Sequence, residues 1–342
     1  MKKNVFIVNT EYHLVLTLGI IQQYFSIGYD NIVCRVSPIK RSRLNNLDFE
    51  GTGIEYYEII YDYQNPTKEL KYNLQHIIDL KPSTLFVYLE NKFWMNYLFS
   101  KLHQMGTRII LGPDGMKAYN NKGYKSMQDN LRYFMKGLYH SAKTHLLTTW
   151  PHVEKTYASS KYIDDVWVEQ PDFYSNTSNK NVIKFQYTID ESFVELLNHV
   201  FCVNERDLSV IRHEPSILFL DTVFQSDEYY ERTFKILEKF RAKYPELKLL
   251  VKYHPLSKTS AKEIYSKIPN TVELNSDYPA EIYIAAAKES IIVSLVSTSE
   301  LFYNPNCNYI WLYKLYEDLY DYKSLVNPTK YIRVVGSIEE IE

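Results

Sequence analysis

The chain has 342 residues, of which 45% are hydrophobic and 23% charged, and its net charge is −2. That length exceeds one ordinary core and suits two domains of about 150 residues; the composition excludes a disordered chain. No global basic field points to nucleic acid, and no window nears the roughly 20 apolar residues of a membrane span.

The chain opens Met1-Lys2-Lys3-Asn4 and enters a short apolar run at 5–8. Asn9, Glu11 and His13 interrupt that run too early for a signal peptide, so it reads as a buried strand and the protein as cytoplasmic. A helix at 14–25 follows, with Leu14, Leu18, Ile21 and Phe25 on one side, then strands at 31–36 and 55–61. The basic cluster Arg35, Lys40, Arg41 and Arg43 reads as a solvated loop. Peripheral attachment to anionic lipid on the inner face of the cytoplasmic membrane stays open. An amphipathic helix at 67–80 carries Leu70, Leu74, Ile77 and Ile78 and is closed by Lys81-Pro82. Strand 84–89, helix 93–105, strand 107–111 and a helix at 131–147 complete the first half.

The polar run 174–180 is the expected interdomain linker. Beyond it come a helix at 191–203, strand 216–220, helix 229–244, strand 247–253 and helix 261–268. Strand 272–274, helix 280–288, strand 290–295 and a helix from Ser299 follow. The expected domains are 1–175 and 182–325, with a tail at 326–342. Short β runs alternating with longer helices predict parallel sheets built from βαβ units. The fold class is therefore α/β, two doubly wound, Rossmann-like domains facing a central cleft, with ligands at the carboxyl ends of the strands. Cys34, Cys202 and Cys307 are too widely spaced for a disulfide framework or a zinc pattern and read as buried, reduced thiols.

Four strand ends carry chemistry. Asn9-Thr10-Glu11-Tyr12-His13 follows the first strand and opens a helix, where hydroxyl and amide groups cap the end and exposed N–H groups attract anions. Gly112-Pro113-Asp114-Gly115 follows the strand at 107–111; its glycines permit a tight turn that presents the Asp114 carboxylate as a general base, or serve an ordinary turn. Tyr253-His254-Pro255 ends another strand, where Pro255 fixes the backbone and the His254 imidazole suits a departing phosphate. Finally, Glu281 opens one helix and Ser297-Thr298-Ser299 the next. The hydroxyls form a phosphate cradle or, with Glu300, a capping box, and the Glu281 carboxylate suits the vicinal hydroxyls of a ribose.

The order of these groups resembles the bacterial sialyltransferases and polysialyltransferases of capsule and lipooligosaccharide synthesis. Their motifs are an acidic pair followed by Gly, a His-Pro dipeptide and a Ser/Thr pair. The resemblance spans residues 5 to about 302 and implies a GT-B fold and an inverting, metal-independent transfer of an acidic sugar from a CMP-sugar to a glycan hydroxyl. It implies that Asp114 is the base, that His254 with Pro255 meets the CMP phosphate, and that Ser297, Thr298 and Ser299 bind it. Glu281 would then meet the nucleoside, while Asn9, Thr10, Tyr12, His13 and Gly115 lie on the substrate side. The chain departs from the pattern at Pro113, where the first acid of the pair is missing, and at Glu11, where Pro is commoner. Sialic acid is the favoured sugar and Kdo the nearest alternative. The other readings are a CDP-glycerol or CDP-ribitol phosphotransferase and a non-catalytic glycan-binding protein. No cofactor beyond the CMP-sugar is implied, and no Asp-x-Asp dyad offers itself to Mg²⁺ or Mn²⁺. The partners expected are the donor and a glycan acceptor, with no nucleic acid; a homodimer stays open.

Overall fold

The computed structural model describes residues 1–38, 46–119, 127–146, 150, 152–154, 156–175, 177–316, 318–319 and 327–341. The chain divides into two compact units, Met1–Thr188 and Ile189–Glu342.

The first unit runs β1 (Lys2–Val8), α1 (Glu11–Tyr24), β2 (Tyr29–Pro38), β3 (Ile54–Tyr61), α2 (Glu69–Asp79) and β4 (Thr84–Val87). It continues with α3 (Met95–Gln104), β5 (Arg108–Leu111), α4 (Met127–Lys143), β6 (Asp165–Val168) and β7 (Asn181–Lys184). Its strands form one parallel sheet in the order β3-β2-β1-β4-β5-β6-β7. Val5, Phe6 and Ile7 are wholly buried because helices cover both faces, which is why a parallel strand reads as a continuous apolar run. α2 buries Leu70, Leu74, Ile77 and Ile78, the stripe its spacing predicts. The helix stops where Lys81 turns to a φ of 49° ahead of Pro82.

The second unit runs α5 (Glu191–Val200), α6 (Glu205–Arg212), β8 (Ser216–Leu220), α7 (Asp227–Lys243), β9 (Lys248–Lys252) and α8 (Thr259–Tyr265). Then come β10 (Thr271–Glu273), α9 (Ala280–Ala286), β11 (Ile291–Ser294), β12 (Asn308–Trp311) and β13 (Ile332–Val334). These strands also form a parallel sheet, ordered β10-β9-β8-β11-β12-β13. Each sheet reverses its winding once, beside β1 and β4 in the first unit and beside β8 and β11 in the second. Doubly wound sheets bind ligands outside the carboxyl ends at such switch points.

Several expectations are corrected. The run 174–180 is no linker, because β7 behind it pairs with β6, and the units divide between Thr188 and Ile189 instead. Residues 326–342 are no tail, because β13 pairs with β12 and Ile341 is buried. The helix expected from Ser299 is a single tight turn, Thr298–Leu301. Arg35 belongs to no solvated loop: it is buried on β2, its guanidinium 3.2 Å from Glu58 on the neighbouring strand. Lys40, Arg41 and Arg43 lie outside the described residues. Cys34 and Cys307 are buried as expected, and burial pushes their thiols up to about 12 and about 11. Cys202 is exposed instead, in the left-handed turn that ends α5.

Candidate functional site

Asp114 stands just beyond β5, and its two flanking glycines are required for different reasons. A Cβ on Gly112 would meet the Phe86 ring at 2.5 Å and the Tyr88 ring at 2.9 Å, so the chain there has no room for a side chain. Gly115 has a φ of 54°, the left-handed region that costs other residues steric strain. Gly112 N–H donates to Val87 O at 2.7 Å, and the Tyr157 hydroxyl donates to Gly112 O. The turn is thus pinned on both sides.

His13 aims at the same carboxylate from α1. Its imidazole is wholly buried, stacked on Tyr88 with ring centroids 4.5 Å apart and planes 9° apart. Tyr88 is itself held by the Thr17 hydroxyl at 2.8 Å. The Asn9 backbone N–H reaches His13 Nδ1 at 3.4 Å, which leaves Nε2 to carry the proton and donate to Asp114 Oδ1 at 3.1 Å. Thr10 caps α1 by accepting the His13 N–H at 3.2 Å, and Asn9 Nδ2 donates to Val36 O at 2.9 Å. The segment 9–13 is therefore a support for Asp114: His13 is buried beneath the carboxylate, Thr10 is exposed and Tyr12 is half-buried.

A charged shell completes this side. Lys117 Nζ sits 3.8 Å from Asp114 Oδ2 and 3.0 Å from Glu154 Oε2. Pro113 leaves the chain without the first acid of the pair, and Glu154 is a second carboxylate on the same lysine. Burial pushes the Asp114 pKa up, but the hydrogen bond and charge of His13, then Lys117 and Lys92, outweigh it and hold the carboxyl below its ordinary value. Its side chain keeps 28% of its surface exposed, so a substrate hydroxyl can reach it. Glu90, beyond β4, behaves oppositely: burial, reinforced by Glu154, raises it to about 7 although the N–H groups of Ser159 and Ser160 donate to it. Lys117 also lines a cavity of about 330 Å³, whose wall includes Tyr63, Lys92, Lys136, His152 and Glu154. Glu90 carries the same strand-end signal that singles out Asp114; nothing in the local sequence marks Glu154.

In the second unit the carboxyl ends of the adjacent strands β9, β8 and β11 carry His254, Asp221 and, three residues past β11, Ser297. His254 is exposed, and its Nδ1 accepts the Leu256 N–H at 3.0 Å. Pro255 beside it is also exposed. The loop is anchored by Asp221, which accepts from the Ser257 hydroxyl and, at 3.4 Å, from Tyr265; burial raises this acid to about 6. Lys252 is buried, its ammonium donating to Ser276 O at 3.1 Å. Ser297 caps its turn by accepting the Ser299 N–H at 3.2 Å, with Thr298 exposed at the tip. Glu300, the second half of the expected capping box, turns inward instead. It is wholly buried beside the Ser294 hydroxyl and the Trp311 indole, and burial drives its acid well above the ordinary range. Glu281 lies at the start of α9 with 3% of its surface exposed, a far more enclosed position than that of His254.

Comparison with known proteins narrows these observations. Solved structures with similar folds include the GT-B domain of a sialyltransferase from Photobacterium damselae, at a TM-score of 0.54 and 12% identity, covering 98% of this chain and 100% of that one. A Photobacterium sp. 2,6-sialyltransferase in a ternary complex with CMP and lactose matches at 0.51 and 13% identity, over 91% of this chain and 71% of that one. UDP-GlcNAc 2-epimerase from Neisseria meningitidis, bound to UDP-GlcNAc, matches at 0.50 and 12% identity, over 86% and 78%. These likenesses establish the GT-B fold, which transferases and epimerases share. An uncharacterized protein of Haemophilus influenzae is 26% identical over 204 residues, 57% of this chain, and the match spans 59% of that relative's length. The model of the alpha-2,8-polysialyltransferase (POLYST) family matches residues 39–310, so the chain belongs to that family.

Proposed function

We propose that the protein transfers an acidic sugar, sialic acid, from a CMP-sugar donor to a hydroxyl of a bacterial surface glycan, with inversion and without a metal. The observation that carries this reading is Asp114: a mostly enclosed carboxylate that a buried imidazole and a lysine keep ionised, still reachable from solvent. An ionised carboxylate at that position is ready to accept the acceptor's proton.

In this reaction the acceptor hydroxyl gives its proton to Asp114 as its oxygen bonds to the anomeric carbon of the donor. The bond from that carbon to the phosphate oxygen breaks, and its electron pair leaves with CMP. His254 and the hydroxyls of Ser297, Thr298 and Ser299 take up the charge growing on the phosphate, and Pro255 fixes the His254 backbone. Glu281 attends the nucleoside. The cavity that Lys117 lines holds the acceptor, and Lys92, Lys117 and Lys136 suit one that already carries carboxylates. His13 acts through Asp114 without touching the sugar.

Thermal shift with CMP, CDP, UMP and UDP tests the donor. Selective stabilisation by CMP is expected, because a ligand that binds only the folded state raises its melting temperature. A preference for UDP would overturn the assignment.

A further inference from the structure

Helix α4 is amphipathic in the reverse sense. An ordinary surface helix turns its apolar stripe to the core and its polar face to water. Here Gly137, His140 and Ser141 are buried, and Tyr133, Lys136 and His140 line the cavity that Lys117 also lines. The opposite side carries Leu131, Met135 and Tyr139, spaced four residues apart and therefore stacked on one face. They are 62%, 54% and 62% exposed. Phe134 and Leu138, half-buried, continue this face, and Trp150, 71% exposed, stacks on Phe134 with ring centroids 6.1 Å apart. Five apolar side chains and an exposed indole thus form one outward patch on a single helix and its neighbour, of the kind that marks an interaction surface.

The charge beside that patch indicates its partner. Arg132 and Lys143 lie along one flank of the stripe, and Asp129 is the helix's only acidic residue, in a chain whose net charge is −2. Apolar and aromatic side chains with basic residues along their edge match the boundary layer of an anionic bilayer: the rings and aliphatic chains enter the headgroup region and the cations meet phosphate. Among the described residues no helix is long and apolar enough to cross a membrane.

We propose that the outer face of α4, with Trp150, docks the protein on an anionic lipid surface. The helix then lies in the surface plane. Because its inner face lines the cavity, docking sets that cavity about one helix diameter, ~10 Å, from the lipid surface. Docking itself needs neither donor nor acceptor, so it stands or falls separately from the proposed reaction.

Vesicle flotation of the full chain tests this. The protein is expected to float with vesicles of phosphatidylcholine and phosphatidylglycerol, weakly with phosphatidylcholine alone, and less at high salt. The variant Leu131→Ser, Met135→Ser, Tyr139→Ser is expected to lose at least about tenfold in partitioning, at an unchanged or higher melting temperature because the replaced groups face water. The variant Arg132→Gln, Lys143→Gln, which leaves the stripe intact, is expected to lose about tenfold on anionic vesicles alone. Wild-type protein that stays in the aqueous phase with anionic vesicles, or a three-serine variant that floats like wild type, would overturn the proposal. So would light scattering that finds a dimer dispersed by the three serines with no vesicle binding, since a second copy would then own the face.

Discussion

Around Asp114 the polar groups are enclosed and matched in place, whereas around His254 they stand at an open edge. The carboxylate is fixed by a wholly buried imidazole, a shared lysine and a turn with no room for another side chain. His254, Pro255 and Thr298 are exposed, and their loops are tied down from below through Asp221 and through the Ser297 cap. On the proposed reaction, the difference teaches how the two halves of a transfer can be divided. A base must keep one geometry and one protonation state before the substrate arrives, and burial secures both. A phosphate grip gains its order from the ligand, and exposed hydroxyls and an imidazole can wait in water at little cost.

The largest effect expected from this contrast is in Asp114→Asn. Transfer should fall by roughly 10²–10⁴-fold with little change in melting temperature, because the amide oxygen can still accept from His13; product assays beside a thermal scan read both. His254→Ala should lower donor kcat/KM by roughly 10²-fold, again with a small shift in stability because the side chain is exposed. A melting temperature that drops sharply in this variant would erase the contrast between the two sites. The smallest effect concerns stability alone. Burial, then Glu154, raises Glu90 from an ordinary 4.5 to about 7, so the folded state holds its proton while the unfolded chain releases it. Its contribution is fully present below pH 4.5, is lost as pH rises from about 4.5 to 7, and is constant above that. Glu90→Gln should flatten that decline by an amount on the order of 3 kcal/mol, measured as denaturation midpoints across the pH range. An unchanged slope would place the titration elsewhere.

How far the molecule is legible in sequence follows from what each signal measures. Strands β1, β8, β9 and β11 are central and covered on both faces, so they appear as apolar runs that need no tertiary knowledge. β7 and β13 lie at sheet edges, are short and carry Lys184 or Arg333, so they pass for loops; the expected linker ends just before β7, and the expected tail contains β13. The strand-end rule finds Asp114, His254 and the Ser297 turn, because it depends only on chain order. It cannot find that His13 and Asp114, 101 residues apart, share a hydrogen bond, which follows from the placement of β1, β4 and β5 side by side. Local reasoning assigns His13 to a helix start facing substrate, and Glu300 to a cap. Both are drawn inward by contacts that lie far away in sequence, His13 onto Tyr88 and Glu300 beside Trp311.

The most direct test of the account is the pH dependence of donor kcat/KM in wild type and in His13→Asn. His13 holds the Asp114 pKa down, so losing it should raise that pKa and move the acid limb of the profile to higher pH, with about tenfold or greater loss of rate near that limb. An acid limb that stays in place while the rate or stability falls would show that Asp114 is not the base whose ionisation His13 controls.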